Sequence, residues 1–184
     1  MKFTFIASLL ALFLAFGPSP SPAYASDFSD HVVNSTSRGI AMDGFDPVAY
    51  FTEGKPVKGD KAHRVTYKGR AWVFSSAENK AAFETAPEKY APQNNGWCAW
   101  AVAHGYAAEV DFLEGWFIEN DKLYVTWSAE VKDRFMKNKE YLLEQTQANW
   151  TTVHSGLLDG SIKFGSHSQR PALGFSHPQQ LPES

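Results

Sequence analysis

His63-Arg64-Val65-Thr66-Tyr67, then Lys68-Gly69, then Arg70-Ala71-Trp72-Val73-Phe74 and Ser75-Ser76, is the stretch that decides the fold. Side chains alternate in character on both sides of a two-residue turn signal, which predicts a β-hairpin. Ser75 and Ser76 then supply hydroxyl oxygens for the first free N–H groups of a helix, with Glu78 near the position used by a capping box. That helix is expected over Ala77–Thr85, with Ala81, Ala82 and Phe83 facing inward and Pro87 ending it.

Working outward, Gly44-Phe45-Asp46-Pro47 is a turn, because Pro47 pushes Asp46 out of the helical region. The short apolar run Val48-Ala49-Tyr50-Phe51 follows it. Trp116-Phe117-Ile118 and Leu123-Tyr124-Val125-Thr126-Trp127 predict a second hairpin around Glu119–Lys122. A helix is expected from Gly96 to His104, closed by Gly105. Ser128 is placed to cap another, with Val131, Phe135 and Met136 inward, and helix resumes over Lys139–Trp150. Hairpins and helices segregated in this way predict an α+β fold: a single small domain of β-hairpins packed with helices. No internal repeat is present.

The ends of the chain read differently. Residues 1–25 combine a basic start, an apolar run from Phe3 to Phe16 and the small-x-small motif Ala23-Tyr24-Ala25, the pattern of a signal peptide cleaved after Ala25. The apolar run falls short of the ~20 residues of a comfortable membrane span, which disfavours the alternative of an uncleaved anchor. The expected product is periplasmic or secreted and has no membrane segment after cleavage. Residues 26–38 read as an N-terminal arm, 39–154 as the folded domain with its C-terminal helix, and 155–184 as a Gly-, Ser-, His- and Pro-rich disordered tail. The whole chain has 184 residues and a formal net charge of -3, with no basic patch, so nucleic acid is a poor partner.

Cys98 is the one cysteine. A lone thiol in an oxidising compartment cannot staple its own fold. It is packed and inert, reactive, or a ligand. A helix beginning near Gly96 would place it in the first turn, where free N–H groups and the helix dipole lower a thiol's pKa. His104 lies six residues on and round the helix, so a Cys–His metal site would have to recruit His104, His63 or His31 through the fold. Cys98, His104 and His63 are the candidate metal ligands, with a transition metal such as copper as the candidate ion. His154, His167 and His177 lie at wide spacings in or near the tail, where solvated disorder is the default reading and loose binding of copper or nickel the alternative. Asp46, as a residue preceding proline, is a turn-setter that accepts backbone N–H bonds. The alternative is a pocket lined by Asp46, Tyr50 and Cys98. Glu109, Asp111 and Glu114 show no paired spacing that calls for acid–base work and read as solvated surface. No motif around Cys98 resembles a thiol enzyme's, so a non-enzymatic protein is favoured over an enzyme.

The ordered series of motifs is identified by resemblance. Gly44-Phe45-Asp46-Pro47-Val48-Ala49-Tyr50-Phe51, Trp72-Val73-Phe74-Ser75-Ser76, Asn79–Phe83, Pro87–Gln93, Gly96-Trp97-Cys98-Ala99 and Lys122-Leu123-Tyr124 resemble the exported YHS-domain proteins in register over roughly residues 39–150. Other YHS domains sit on heavy-metal pumps and carry three cysteines in the pattern Asp-Pro-Val-Cys, Phe-Cys-Ser and a further Cys four residues on. Those positions are Ala49, Ser75 and Asn79 here. The resemblance therefore implies the family's fold without its thiolate metal site. Three functions stay open: a non-enzymatic module binding a metal ion or small ligand near Cys98; a thiol-dependent redox protein or enzyme; and a structural or partner-binding domain with an inert cysteine.

Overall fold

The computed structural model describes residues 33–34, 39–162 and 164–165. Its architecture grows from the first hairpin. Strand β1 (Asp60–Tyr67) pairs antiparallel with β2 (Arg70–Phe74), with Val65 opposite Trp72 and Tyr67 opposite Arg70. Lys68 and Gly69 both take positive φ, 47° and 67°, the left-handed pair whose twist matches the flanking strands. Both faces of β2 are covered. Trp72 and Phe74 meet Phe83 of helix α2 (Ala77–Thr85), with ring centroids 5.2 and 5.1 Å away. Gly59, next to the β1 residue that pairs with Phe74, lies so close to β2 that a Cβ there would fall 2.5 Å from the Val73 carbonyl carbon.

Ser76 caps α2 as expected, its Oγ accepting from the Asn79 N–H at 3.1 Å. Residue 79, not Glu78, occupies the third helical position, and its side chain is used elsewhere. Only Phe83 of the three residues expected inward is fully buried; Ala82 is half-buried and Ala81 is exposed. Ala81 lies about 200° round the helix from Phe83, so one face cannot take both. Pro87 does not simply end a helix. It begins a separate turn, α3 (Pro87–Tyr90), at the position where its missing N–H costs nothing.

The second hairpin is β4 (Trp116–Glu119) with β5 (Lys122–Val125), turned by Asn120 and Asp121 at φ 50° and 56°. Ser128 caps α5 (Ala129–Lys137), which buries Val131 and Phe135; Met136 instead is 43% exposed, one residue round from Phe135. Helix α6 (Lys139–Asp159) runs well past Trp150 and five residues into the expected tail, closed by Gly160 at φ 77°. Gly156 of α6 is buried against Ile162, and β6 (Phe164–Gly165) pairs parallel with β3 (Ala107–Ala108). These contacts hold the start of the segment that composition alone reads as disordered. The segment expected to be a signal peptide, all but Val33 and Asn34 of the expected arm, and the rest of the expected tail lie outside the described residues.

Helix α4 is shorter than expected, Ala99–Ala103 in place of Gly96–His104. Asn94, Asn95 and Gly96 have φ of 53°, 50° and 78°, a left-handed turn that asparagine and glycine tolerate. Trp97 and Cys98 then run extended into α4. The main core joins Tyr50, Trp72, Phe74, Phe83, Cys98, Leu123 and Phe135. A smaller cluster of Trp97, Val102, Ala107 and Val153 ties α4 to α6. Buried Thr146 of α6 donates to the Ala99 carbonyl at 3.1 Å. Among the described residues no helix is long and apolar enough to cross a membrane. The result is the expected α+β fold, hairpins packed with helices.

Candidate functional site

Asp46 is completely buried. Its Oδ1 accepts from the N–H groups of Val48 at 2.8 Å and Ala49 at 3.4 Å, at the start of α1 (Ala49–Thr52). This is the turn-setting role expected of an aspartate before proline. Its Oδ2 reaches much further along the chain. It accepts from the Ser75 N–H at 2.8 Å, the Ser75 hydroxyl at 2.7 Å and the Asn79 side-chain amide at 2.7 Å. Asn79 also donates to the Ser75 oxygen at 3.2 Å. Ala49, Ser75 and Asn79 thus converge on one carboxylate.

The donor set does not suit a soft metal ion. Position 49 offers a methyl group. The Ser75 hydroxyl and Asn79 amide are already donating to Asp46, and both carboxylate oxygens are engaged. Copper or zinc in such a place would need deprotonated sulfur or imidazole to displace these bonds.

Cys98 is equally closed off, at 1% exposure. It stands just before α4, its N–H bonded to the Ala108 carbonyl at 3.1 Å. Burial pushes its thiol up from 9.0 to about 11, although backbone groups of Ala101, Trp127 and Trp100 pull the other way. The helix start therefore acts in the expected direction but loses to desolvation, because α4 has only five residues and the sulfur lies in the core.

This burial has a consequence for alkaline stability. A thiol whose folded pKa is raised gives up no stability below pH 9.0, and stability then falls as pH rises toward about 11. The loss is about 2 to 3 kcal/mol at roughly 1.4 kcal/mol per pKa unit. Urea unfolding at pH 8 and pH 11 should show Cys98→Ala losing less stability than the parent by that amount. Parallel losses in the two proteins would show that the thiol is not buried in this way.

Tyr50 is buried too, its hydroxyl donating to the Phe112 carbonyl at 2.6 Å and its ring edge-on to Trp116 at 5.0 Å. Desolvation raises its phenol well above the usual value, and the charges of Asp111, Asp43 and Asp46 add to that. Asp46, Tyr50 and Cys98 are each buried residues, and none lines the open clefts beside the 110–117 segment. His104 ends α4, its Nδ1 2.7 Å from the Trp100 carbonyl oxygen and its ring stacked on Trp100 at 4.7 Å. His63 is half-buried on β1, two residues before Val65. His154 is stacked on Trp150 within α6. Among the described residues no three His, Cys, Asp or Glu side chains gather where they could hold a metal ion. Cys98, His104 and His63 are not gathered into such a group: Cys98 and His104 stand at opposite ends of α4, and His63 lies on β1.

The structure offers an open cleft of about 400 Å³ instead, lined by Asp43, Phe45, Val110, Asp111, Phe112 and Trp127. One wall is the turn Met42–Gly44, where Met42, Asp43 and Gly44 have φ of 52°, 51° and 78°. The opposite wall is held by backbone bonds from Asp111 N–H to the Thr126 carbonyl and from Gly115 N–H to the Asp111 carbonyl, both 3.0 Å. Asp111 is half-buried in that wall, not simply solvated surface. Sequence reasoning missed the cleft because its residues come from three separate segments. The one local signal was Asp43-Gly44, a pair suited to left-handed backbone. A second, more apolar groove of about 630 Å³ runs past Leu113, Trp116, Phe117 and Met136.

Residues 48–94 match the family model for the YHS domain. The match contains Ala49, Ser75 and Asn79, begins just after Asp46-Pro47, and stops before Cys98. It is narrower than the motif series over 39–150. No curated protein and no solved structure matches the chain.

Proposed function

For a chain that carries a YHS domain across residues 48–94, we propose a non-enzymatic binding role that uses neither a thiolate metal centre nor the Cys98 sulfur. The protein acts outside the cytoplasm, as the signal-like residues 1–25 suggest. The observation that carries this reading is the Asp46 carboxylate. The positions where the wider family places thiols instead donate hydrogen bonds to it, through the side chains of Ser75 and Asn79 and the backbone N–H of Ala49. A closed polar lock of this kind serves architecture. The sealed thiol speaks against nucleophilic or redox work at Cys98, since the thiolate is the reactive form and burial suppresses it. A small ligand held on the surface of this scaffold then fits better than a metal ion held inside it.

Two measurements on the purified protein test the reading. After loading with copper or zinc and desalting, metal content should stay well below one ion per chain. A disulfide reagent at pH 8 should modify Cys98 at least about 100-fold more slowly in the native protein than in urea, because reaction must wait for opening of the core. One retained ion per chain that disappears in Cys98→Ala would overturn the proposal, and so would a thiol that reacts natively at the denatured rate.

A further inference from the structure

We propose that the cleft between the Met42–Gly44 turn and the 110–112 and 126–128 segments binds a small organic cation, an alkyl- or quaternary ammonium group. This rests on the reading of the protein as a non-enzymatic binder and names the ligand class of its surface site.

Charge, ring chemistry and shape each point the same way. Among the described residues that line the cleft, the charged ones are Asp43 and Asp111, both acidic. Their field is felt beneath it, where it helps hold the Tyr50 phenol protonated. Phe45 and Trp127 bring aromatic rings to the same cleft, and the negative face of a ring attracts a cation, most strongly one that sheds its water easily. Quaternary and alkylated ammonium ions are of that kind, whereas a bare metal ion is not.

The chain supplies its own example of this attraction. The Lys58 ammonium sits 3.6 Å from the centroid of the Phe45 ring and donates to the Asp43 carbonyl at 2.8 Å. One face of the Phe45 ring therefore already takes an ammonium group, and Lys58 sets one positive charge against the two carboxylates of the cleft. The volume of about 400 Å³ falls in the range of small-molecule sites, roughly 300–1,000 Å³. The walls are also set in advance. The Phe45 N–H is bonded to the Met42 carbonyl at 2.9 Å, and the Asp46 N–H to the Val57 carbonyl at 2.8 Å. Binding therefore needs little ordering of the protein.

Choline chloride is the probe, titrated into the isotopically labelled protein at constant ionic strength. Its uncharged isostere, 3,3-dimethyl-1-butanol, is the control. Saturable shifts are expected at the Trp127 indole and Val110 methyl signals, with a dissociation constant on the order of 1 mM. The isostere should bind at least about tenfold more weakly. Asp43→Asn and Asp111→Asn, checked for unchanged melting, should each weaken choline binding about threefold or more. Equal binding of choline and the isostere, or no saturation at these signals, would overturn the proposal on the parent protein alone. Full choline affinity in both Asn variants would also overturn it. If choline fails while the thiol stays closed and no metal is retained, the ligand class falls and the non-enzymatic reading survives. Metal retention through Cys98 removes that reading itself.

Discussion

Asp46→Ala is expected to lower the free energy of unfolding by about 3 to 5 kcal/mol, more than the change of a single surface contact could explain. The physical reason is what the deletion leaves behind. The Val48 and Ala49 N–H groups, the Ser75 N–H and hydroxyl and the Asn79 amide all lose their acceptor around a fully buried position, with Ser75 and Asn79 themselves half-buried. A buried donor left without a partner costs about 1 to 3 kcal/mol, and several share this acceptor, although relaxation will recover some of the loss. Asp46→Asn is a sharper version of the same experiment. It preserves size and one acceptor oxygen but turns an NH₂ group toward donors on one side. Its cost should be of similar sign and smaller size. Urea unfolding followed by tryptophan fluorescence measures both. A loss below about 1 kcal/mol for Asp46→Ala would mean that the lock is an ornament on the fold and that the case against a metal centre has lost its support.

Phe83→Ala should cost a comparable amount, about 3 to 5 kcal/mol, for an entirely different reason. Phe83 is 1% exposed and its ring meets those of Trp72, Phe74 and Tyr67 at centroid distances of 5.2, 5.1 and 5.5 Å. Three rings cannot close over the space it vacates, so both transfer energy and a cavity are lost. This residue joins α2 to the first hairpin, and its removal loosens the frame that brings Ser75 and Asn79 to Asp46. Met136→Ala is the matching control: that side chain is 43% exposed and its removal should change stability by no more than about 0.5 kcal/mol. Equal losses for the two would refute the assignment of faces to these helices.

The two variants also separate what was readable from what was not. The hairpins followed from alternation and from turn residues able to take positive φ, and the helix starts from Ser76 and Ser128. These are local rules, and the backbone obeys them locally. Helix faces were less readable. Helix periodicity already separates Ala81 from Phe83, whereas Met136 is the apolar neighbour of buried Phe135, and there only the packing partner decides which of the two is covered. The start of α4 differs from the expected Gly96 because that glycine can enter either helical hand; it continues the left-handed turn of Asn94 and Asn95, which is held by contacts such as the Asn34 N–H on the Asn95 carbonyl.

For the site the division is stronger. Asp46 announced its turn to Val48 and Ala49, two and three residues away, because proline and a short carboxylate leave little else to do there. Its bonds to Ser75 and Asn79 cross 29 and 33 residues, and no local pattern could reveal them. Cys98 shows the same limit in its chemistry. Sequence places it beside a helix start, which favours the thiolate; depth in the core, which only the assembled chain possesses, reverses the sign. Short-range stereochemistry is written residue by residue. Desolvation and the pairing of distant polar groups exist only once the chain has closed on itself.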